Sequence, residues 1–151
     1  MPEKPKFERE NNDWESIAGL YKEKKELGRE VFNHLRDGFY GIVEKYNDII
    51  TESAVQRYIP NEGANKDRLK EALSELEKVS EKFIDEYKEK LEEINNRIQP
   101  LEEAIGVEKL EEDRDMHILR VEVQYLADDM PFRPIKEWYQ PTIKYIKEFL
   151  D

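Results

Sequence analysis

The segment 65-NKDRLKEALSELEKVSEKFIDEYKEKLEEINNRIQPLEEAI-105, Asn65 to Ile105, decides how this chain is built. Its apolar residues are Leu69, Leu73, Leu76, Phe83, Tyr87, Leu91, Ile94, Ile98, Leu101 and Ile105. They recur in steps of three and four, with one skipped position at Ser80 and one extra four-step between Tyr87 and Leu91. Nearly everything between them is Glu, Lys, Asp or Arg. An α-helix turns once every 3.6 residues, so this spacing lines the apolar groups along one narrow stripe. Such a stripe buries against another long helix.

A second stretch supplies the partner. From Trp14 to about Tyr58, Trp14, Ile17, Tyr21, Leu27, Val31, Leu35, Ile42, Tyr46 and Ile49 recur at helical spacing. Ala18, Phe32, Phe39, Val43 and Ile50 widen the face. Lys22 to Glu26 is wholly charged, and Gly38 and Gly41 lie three residues apart. Each mid-helix glycine costs about 1 kcal/mol relative to alanine. A two-residue break is too short for a hairpin loop, so the expectation is one long, bent helix. Between the two stretches, Pro60-Asn61-Glu62-Gly63-Ala64 is turn chemistry, with Asn65 placed to cap the second helix. A short connection makes the pair antiparallel, with arms roughly 50–65 Å long at about 1.5 Å per residue.

Residues 1–12 hold Pro2, Pro5 and alternating charges, which predicts a mobile tail before a single helical domain over 13–151. Pro100 predicts either an end near Arg97 with a restart or a bend, and Gly106 predicts a stop. Beyond it, Val107, Leu110, Arg114, Ile118, Val121 and Tyr125 fit a helix. The run Arg120 to Tyr125 also alternates as a strand would, but a lone strand would have no partner, so helix is preferred. Pro131, Pro134 and Pro141 then interleave with Phe132, Trp138 and Tyr139 before a short final helix carrying Ile143, Ile146, Phe149 and Leu150. The fold class expected is all-α: a long antiparallel helical hairpin, coiled-coil-like, completed to a three- or four-helix bundle by shorter C-terminal helices.

Composition limits function. The chain has 151 residues, 40% of them charged, no cysteine and a net charge of −11. Disulfides, thiolate zinc sites and cysteine nucleophiles are excluded. No apolar run approaches the roughly 18 residues of a membrane span, so a soluble, cytoplasmic protein without a membrane partner is expected. The Glu- and Lys-rich balance is thermophile-like. Residues 101–130 carry ten acids and three bases, most of the excess charge. Acid on that scale argues against direct binding of a nucleic-acid backbone.

Neither His34 nor His117 follows a Glu at the spacing of a di-iron bundle, so no metal and no other cofactor is expected. Arg29 and His34 match the loose Arg-x4–6-His pattern of helical ribonucleases. Five positions apart on one helix they diverge in azimuth, which leaves an enzyme as a remote alternative. No phosphate loop or nucleophile–base pair is present, and the chain is read as non-enzymatic.

What remains is a protein–protein interaction module, an assembly, scaffold or adaptor that acts through helix faces. It is expected to self-associate as a dimer through the Val31–Ile49 face. The residues expected to make contacts are Phe39, Phe132, Trp138 and Tyr139, types enriched at interface hot spots. Glu111, Glu112, Asp113 and Asp115 form an acidic block that would steer partners by charge. The alternative from another class is an acidic inhibitor or DNA mimic that occupies a basic nucleic-acid-binding site.

Overall fold

A computed structural model describes residues 6–49 and 62–150 of the chain. It is 96% helical, and no strand occurs among the described residues. Helix α1 spans Lys6–Lys45, α2 Glu62–Lys82 and α3 Lys88–Ile105, with a π-helical turn at Phe83–Tyr87 joining the last two. Then come α4 (Val107–Glu112) and α5 (Arg114–Val123), which passes into a second π turn at Gln124–Asp129. A short turn α6 (Phe132–Pro134), a third π turn at Ile135–Tyr139 and α7 (Gln140–Leu150) complete the chain.

The two long helices are present as expected, with shifted boundaries. Helix α1 begins at Lys6, within the segment expected to be a tail, and runs unbroken past Gly38 and Gly41. Helix α2 begins at Glu62, ahead of the expected cap at Asn65. Pro60 and Asn61, like residues 50–58 of the first expected helix, lie outside the described residues. Helix α3 continues through Pro100 and stops at Gly106, whose φ of +93° suits a residue without a side chain. The Gly106 N–H donates to the Glu102 carbonyl at 2.9 Å, which closes the last turn.

The stripe read from Leu69 to Ile105 is the buried face. Leu69, Leu76, Phe83, Tyr87, Ile94 and Ile98 are all buried, and Ser80, the skipped position, is buried in register with them. The extra four-step at Tyr87–Leu91 follows directly on the π turn. A π turn closes i→i+5 hydrogen bonds and holds more residues than an α turn, so successive four-steps stay on one face there.

The chain divides into two compact units. The first comprises Met1–Glu30 and Tyr87–Met130. Its core joins Ile17, Leu20 and Tyr21 of α1 to Ile94 and Ile98 of α3, Leu110 of α4, and Met116, Val123 and Ala127 farther on. Tyr21 pairs with Glu102 and Glu23 with Arg97, so partners on α3 fall in number as those on α1 rise. The two segments are antiparallel. The second unit comprises Val31–Glu86 and Pro131–Asp151. Leu35 and Ile42 of α1, Tyr46 just beyond it, Leu69, Ala72 and Leu76 of α2, and Ile135, Tyr139 and Ile146 form its interior. Each fully buried Leu or Ile contributes roughly 1.5–3 kcal/mol by leaving water.

Residues 107–130 are helical, but the face they bury differs from the expected one. Of Val107, Leu110, Ile118, Val121 and Tyr125, only Leu110 is buried. The inward face of α5 and its π turn is Met116, Val123 and Ala127. The cause is Asp113, which is extended (φ −81°, ψ 121°) and separates α4 from α5. Its carboxylate accepts from the Met116 N–H at 2.9 Å and caps α5. A helical phase carried across that break points the wrong way beyond it.

Candidate functional site

The aromatic residues expected to make contacts lie in the second unit, and three of the four meet. Phe39 lies 5.8 Å from Trp138 and 5.3 Å from Tyr139 between ring centroids. Phe132 is elsewhere, edge-on to Phe83 at 5.5 Å. Two further rings join the group. Phe32 lies 6.2 Å from Trp138, and Tyr40 stacks on Trp138 at 6.0 Å with an interplanar angle of 28°. Phe32 and Phe39 are seven positions apart on α1 and therefore share a face. Tyr40 follows directly on Phe39. The Arg36 guanidinium lies 5.9 Å from the centre of the Phe32 ring.

These rings differ in what they present to solvent. Tyr139 is fully buried, and its hydroxyl donates to the Leu35 carbonyl at 2.7 Å. Burial pushes its phenol pKa up to about 12. Tyr139 therefore belongs to the interior of the unit and offers nothing to a partner. Phe32, Phe39 and Trp138 are partly buried, and Tyr40 is 57% exposed. The residues of Val31–Ile49 with the deepest apolar burial, Leu35, Ile42, Tyr46 and Ile49, are likewise enclosed by the chain itself. Phe32, Phe39, Tyr40 and Trp138 are what remains for contact.

The acidic block lies in the first unit, and its four members are exposed. They do different things. Glu111 faces Arg120 at 3.5 Å, and Asp113 is the cap of α5. Asp113 and Asp115 border an open groove whose apolar wall is Trp14, Ala18, Met116, Ile118 and Leu119, with Lys22 and Glu122 also on its rim. Glu112 is exposed near the end of α4.

A second groove of the first unit is polar, lined among others by Tyr21, Lys24, Glu102, His117, Arg120 and Asp128. The Tyr21 hydroxyl donates to Glu102 Oε1 at 2.6 Å, and Lys24 Nζ pairs with Asp128 Oδ1 at 3.1 Å. Burial, reinforced by the neighbouring Glu102, drives the Tyr21 phenol well above the normal range, so it stays protonated. No buried side-chain nitrogen or oxygen among the described residues lacks a hydrogen-bond partner. These charges are arranged to neutralise one another.

Arg29 and His34 are both exposed, and Arg29 is held by Glu26 at 3.1 Å. Among the described residues, no three His, Asp or Glu side chains are grouped to hold a metal ion. Nor is any described helix long and apolar enough to cross a membrane.

Two residues that carry the packing of the first unit are absent from the sequence-based expectations. Lys24 is buried, and its ion-pair partner is Asp128. Gly28 abuts backbone: a Cβ there would stand 2.0 Å from the Leu126 carbonyl oxygen. The one available signal for Gly28 is a glycine inside a helical pattern with no turn residues beside it. Compared with known protein families, curated proteins and solved structures, the chain matches none.

Proposed function

We propose that the chain is a non-enzymatic interaction module that works through helix faces and self-associates through the aromatic patch Phe32, Phe39, Tyr40 and Trp138. The observation that supports this most directly is Tyr40, 57% exposed yet stacked on Trp138. Large rings with two rotatable bonds lose little entropy when a second surface covers them, and they supply much of the energy at interfaces. The patch carries Arg36 against the Phe32 ring, with Asp37 at 3.3 Å to offset its charge. It is thus close to neutral and suits contact with its own image across a two-fold axis.

Light scattering coupled to size exclusion, at low and high salt, tests this reading. An oligomer that persists at high salt and becomes monomeric in Tyr40→Asp, with helicity retained, supports it. A monomer at both salt concentrations rejects it.

An acidic inhibitor that occupies a basic nucleic-acid-binding site is the second reading. It is favoured by the exposure of Glu111, Glu112, Asp113 and Asp115 within residues 101–130, whose ten acids and three bases carry most of the chain's net charge of −11. It requires binding that weakens steeply with salt and is lost on reversal of those four charges.

A further inference from the structure

The groove of the first unit combines two properties that name a partner. Its floor is apolar: Trp14 and Ala18 of α1 face Met116 and Leu119 of α5 across it. Ile118 stands at its edge with 46% of its surface exposed. Val121 and Tyr125, 52% and 46% exposed, follow Ile118 at helical spacing, with Val121 on the wall of the neighbouring polar groove. Three large apolar side chains in a row on the outside of one short helix are unusual in a chain this polar.

The rim is acidic. Asp113, Asp115 and Glu122 border the groove together with Lys22, and Asp113 also caps α5. Asp115 has no ion-pair partner among the described residues, whereas Glu122 is joined to Lys25 at 2.9 Å.

We propose that this groove is a docking site for an amphipathic helix of a different protein, one that carries Lys or Arg along both edges of its apolar face. The apolar floor takes the helix's hydrophobic stripe in the helix-in-groove manner, and the acids meet its flanking cations. A second copy of this chain is the poorer occupant. A second copy brings the same excess of acid, a net charge of −11, to an already acidic rim, and like charge is brought together as water is removed. Nucleic acid is opposed by the same charges. The groove shares no residue with the aromatic patch, so the proposal stands apart from self-association.

The test uses a fluorescein-labelled peptide of roughly 14 residues with Leu and Lys at helical spacing, and a counterpart with Glu in place of Lys. Anisotropy is read at low salt on the full chain. The Lys peptide binds one to one and at least tenfold more tightly than the Glu peptide. Ile118→Asp weakens it at least tenfold, Ile118→Ser severalfold, and Asp115→Lys about fivefold. Glu92→Lys, an equal charge change on exposed α3 surface outside the groove, shifts affinity less than twofold. Two results overturn the proposal: an equal loss in Glu92→Lys, which marks undirected attraction, or an unchanged affinity in both Ile118 variants. Dissociation of a dimer of this chain by Ile118→Asp also overturns it, since the face is then covered by a second copy. Peptide binding is read separately from oligomer size, so a peptide that fails to bind leaves the reading of the Tyr40–Trp138 patch standing.

Discussion

Helix α1 puts a glycine into each of the two compact units, and the two glycines meet different neighbours. In the first unit a Cβ on Gly28 would stand 2.0 Å from the Leu126 carbonyl oxygen and 2.8 Å from the Ala127 Cα. In the second, a Cβ on Gly38 would meet the Tyr139 hydroxyl at 3.2 Å. In the first unit α1 is pressed against backbone, and in the second against the end of a side chain. The contrast extends to the surrounding cores. The first unit is aliphatic and brings its helices close, with polar groups such as Lys24 and Tyr21 neutralised at the margin. The second gathers the rings of Phe32, Phe39, Tyr40, Trp138 and Tyr139 against one another. Backbone cannot yield locally, whereas a phenol can turn by a few tenths of an ångström.

The largest effect expected from this difference is at Gly28. Gly28→Ala must move α1 away from the π turn, at a cost of about 3 kcal/mol or more, even though alanine is the better helix former. Gly38→Ala gains roughly 1 kcal/mol of helix propensity and gives part of it back by lengthening the Tyr139–Leu35 hydrogen bond. Its net effect falls within about 1 kcal/mol of zero. Urea denaturation followed by circular dichroism separates the two. Equal losses at both sites would remove the distinction between a backbone contact and a side-chain contact.

The Gly28 contact also shows where sequence reasoning reaches its end. The seam from Leu69 to Ile105 was legible because a period is repeated ten times and survives one polar residue at Ser80. The face of α5 was not, because one residue, Asp113, resets the phase, and an aspartate among six neighbouring charges does not look like a cap. Lys24 sits in an unbroken run of charge, and its partner Asp128 is 104 positions away. Composition reports that a residue is charged and not where its neutralising group will arrive from. Among the aromatics, residue type picked Phe39, Trp138 and Tyr139 alike, and could not separate Tyr139, which turns inward, from Tyr40, which turns outward.

Intermediate effects belong to the buried phenols, one in each unit. Tyr87 donates to the Ala127 carbonyl in the first, and Tyr139 to the Leu35 carbonyl in the second. Replacement of either by Phe removes one hydrogen bond and costs about 0.5–1.5 kcal/mol. Burial raises both pKa values, that of Tyr139 to about 12 and that of Tyr87 further, with Asp128 adding to the shift. Above pH 10 the unfolded chain ionises these phenols and the folded chain does not. The stability they contribute is therefore complete below about pH 10 and is lost as pH rises through 12. Absorbance titration of the folded chain at 295 nm should show Tyr21, Tyr87 and Tyr139, three of the eight tyrosines, ionising late and together with unfolding. Ordinary ionisation of all eight near pH 10 would contradict their burial.

The smallest effects come from ion pairs, and here the two units should again part. In the first, Lys24 has a side chain only 10% exposed, and Asp128 is its counter-charge at 3.1 Å. Asp128→Asn leaves a cation out of water with a weaker partner. The cost is about 1 kcal/mol, held down because Asp128 itself is 44% exposed and screened by solvent. Lys24→Met removes the charge and keeps the packing of the stem, so it should cost less than Asp128→Asn or even stabilise. In the second unit, Lys147 and Glu77 meet at the same 3.1 Å with exposures of 56% and 38%. Lys147→Met there should change stability by no more than about 0.5 kcal/mol. Distance is matched between the two pairs, so the order of the three variants isolates burial as the variable. If Asp128→Asn proves as mild as Lys147→Met, Lys24 reaches water after all, and the polar groove is open to solvent down to its lysine.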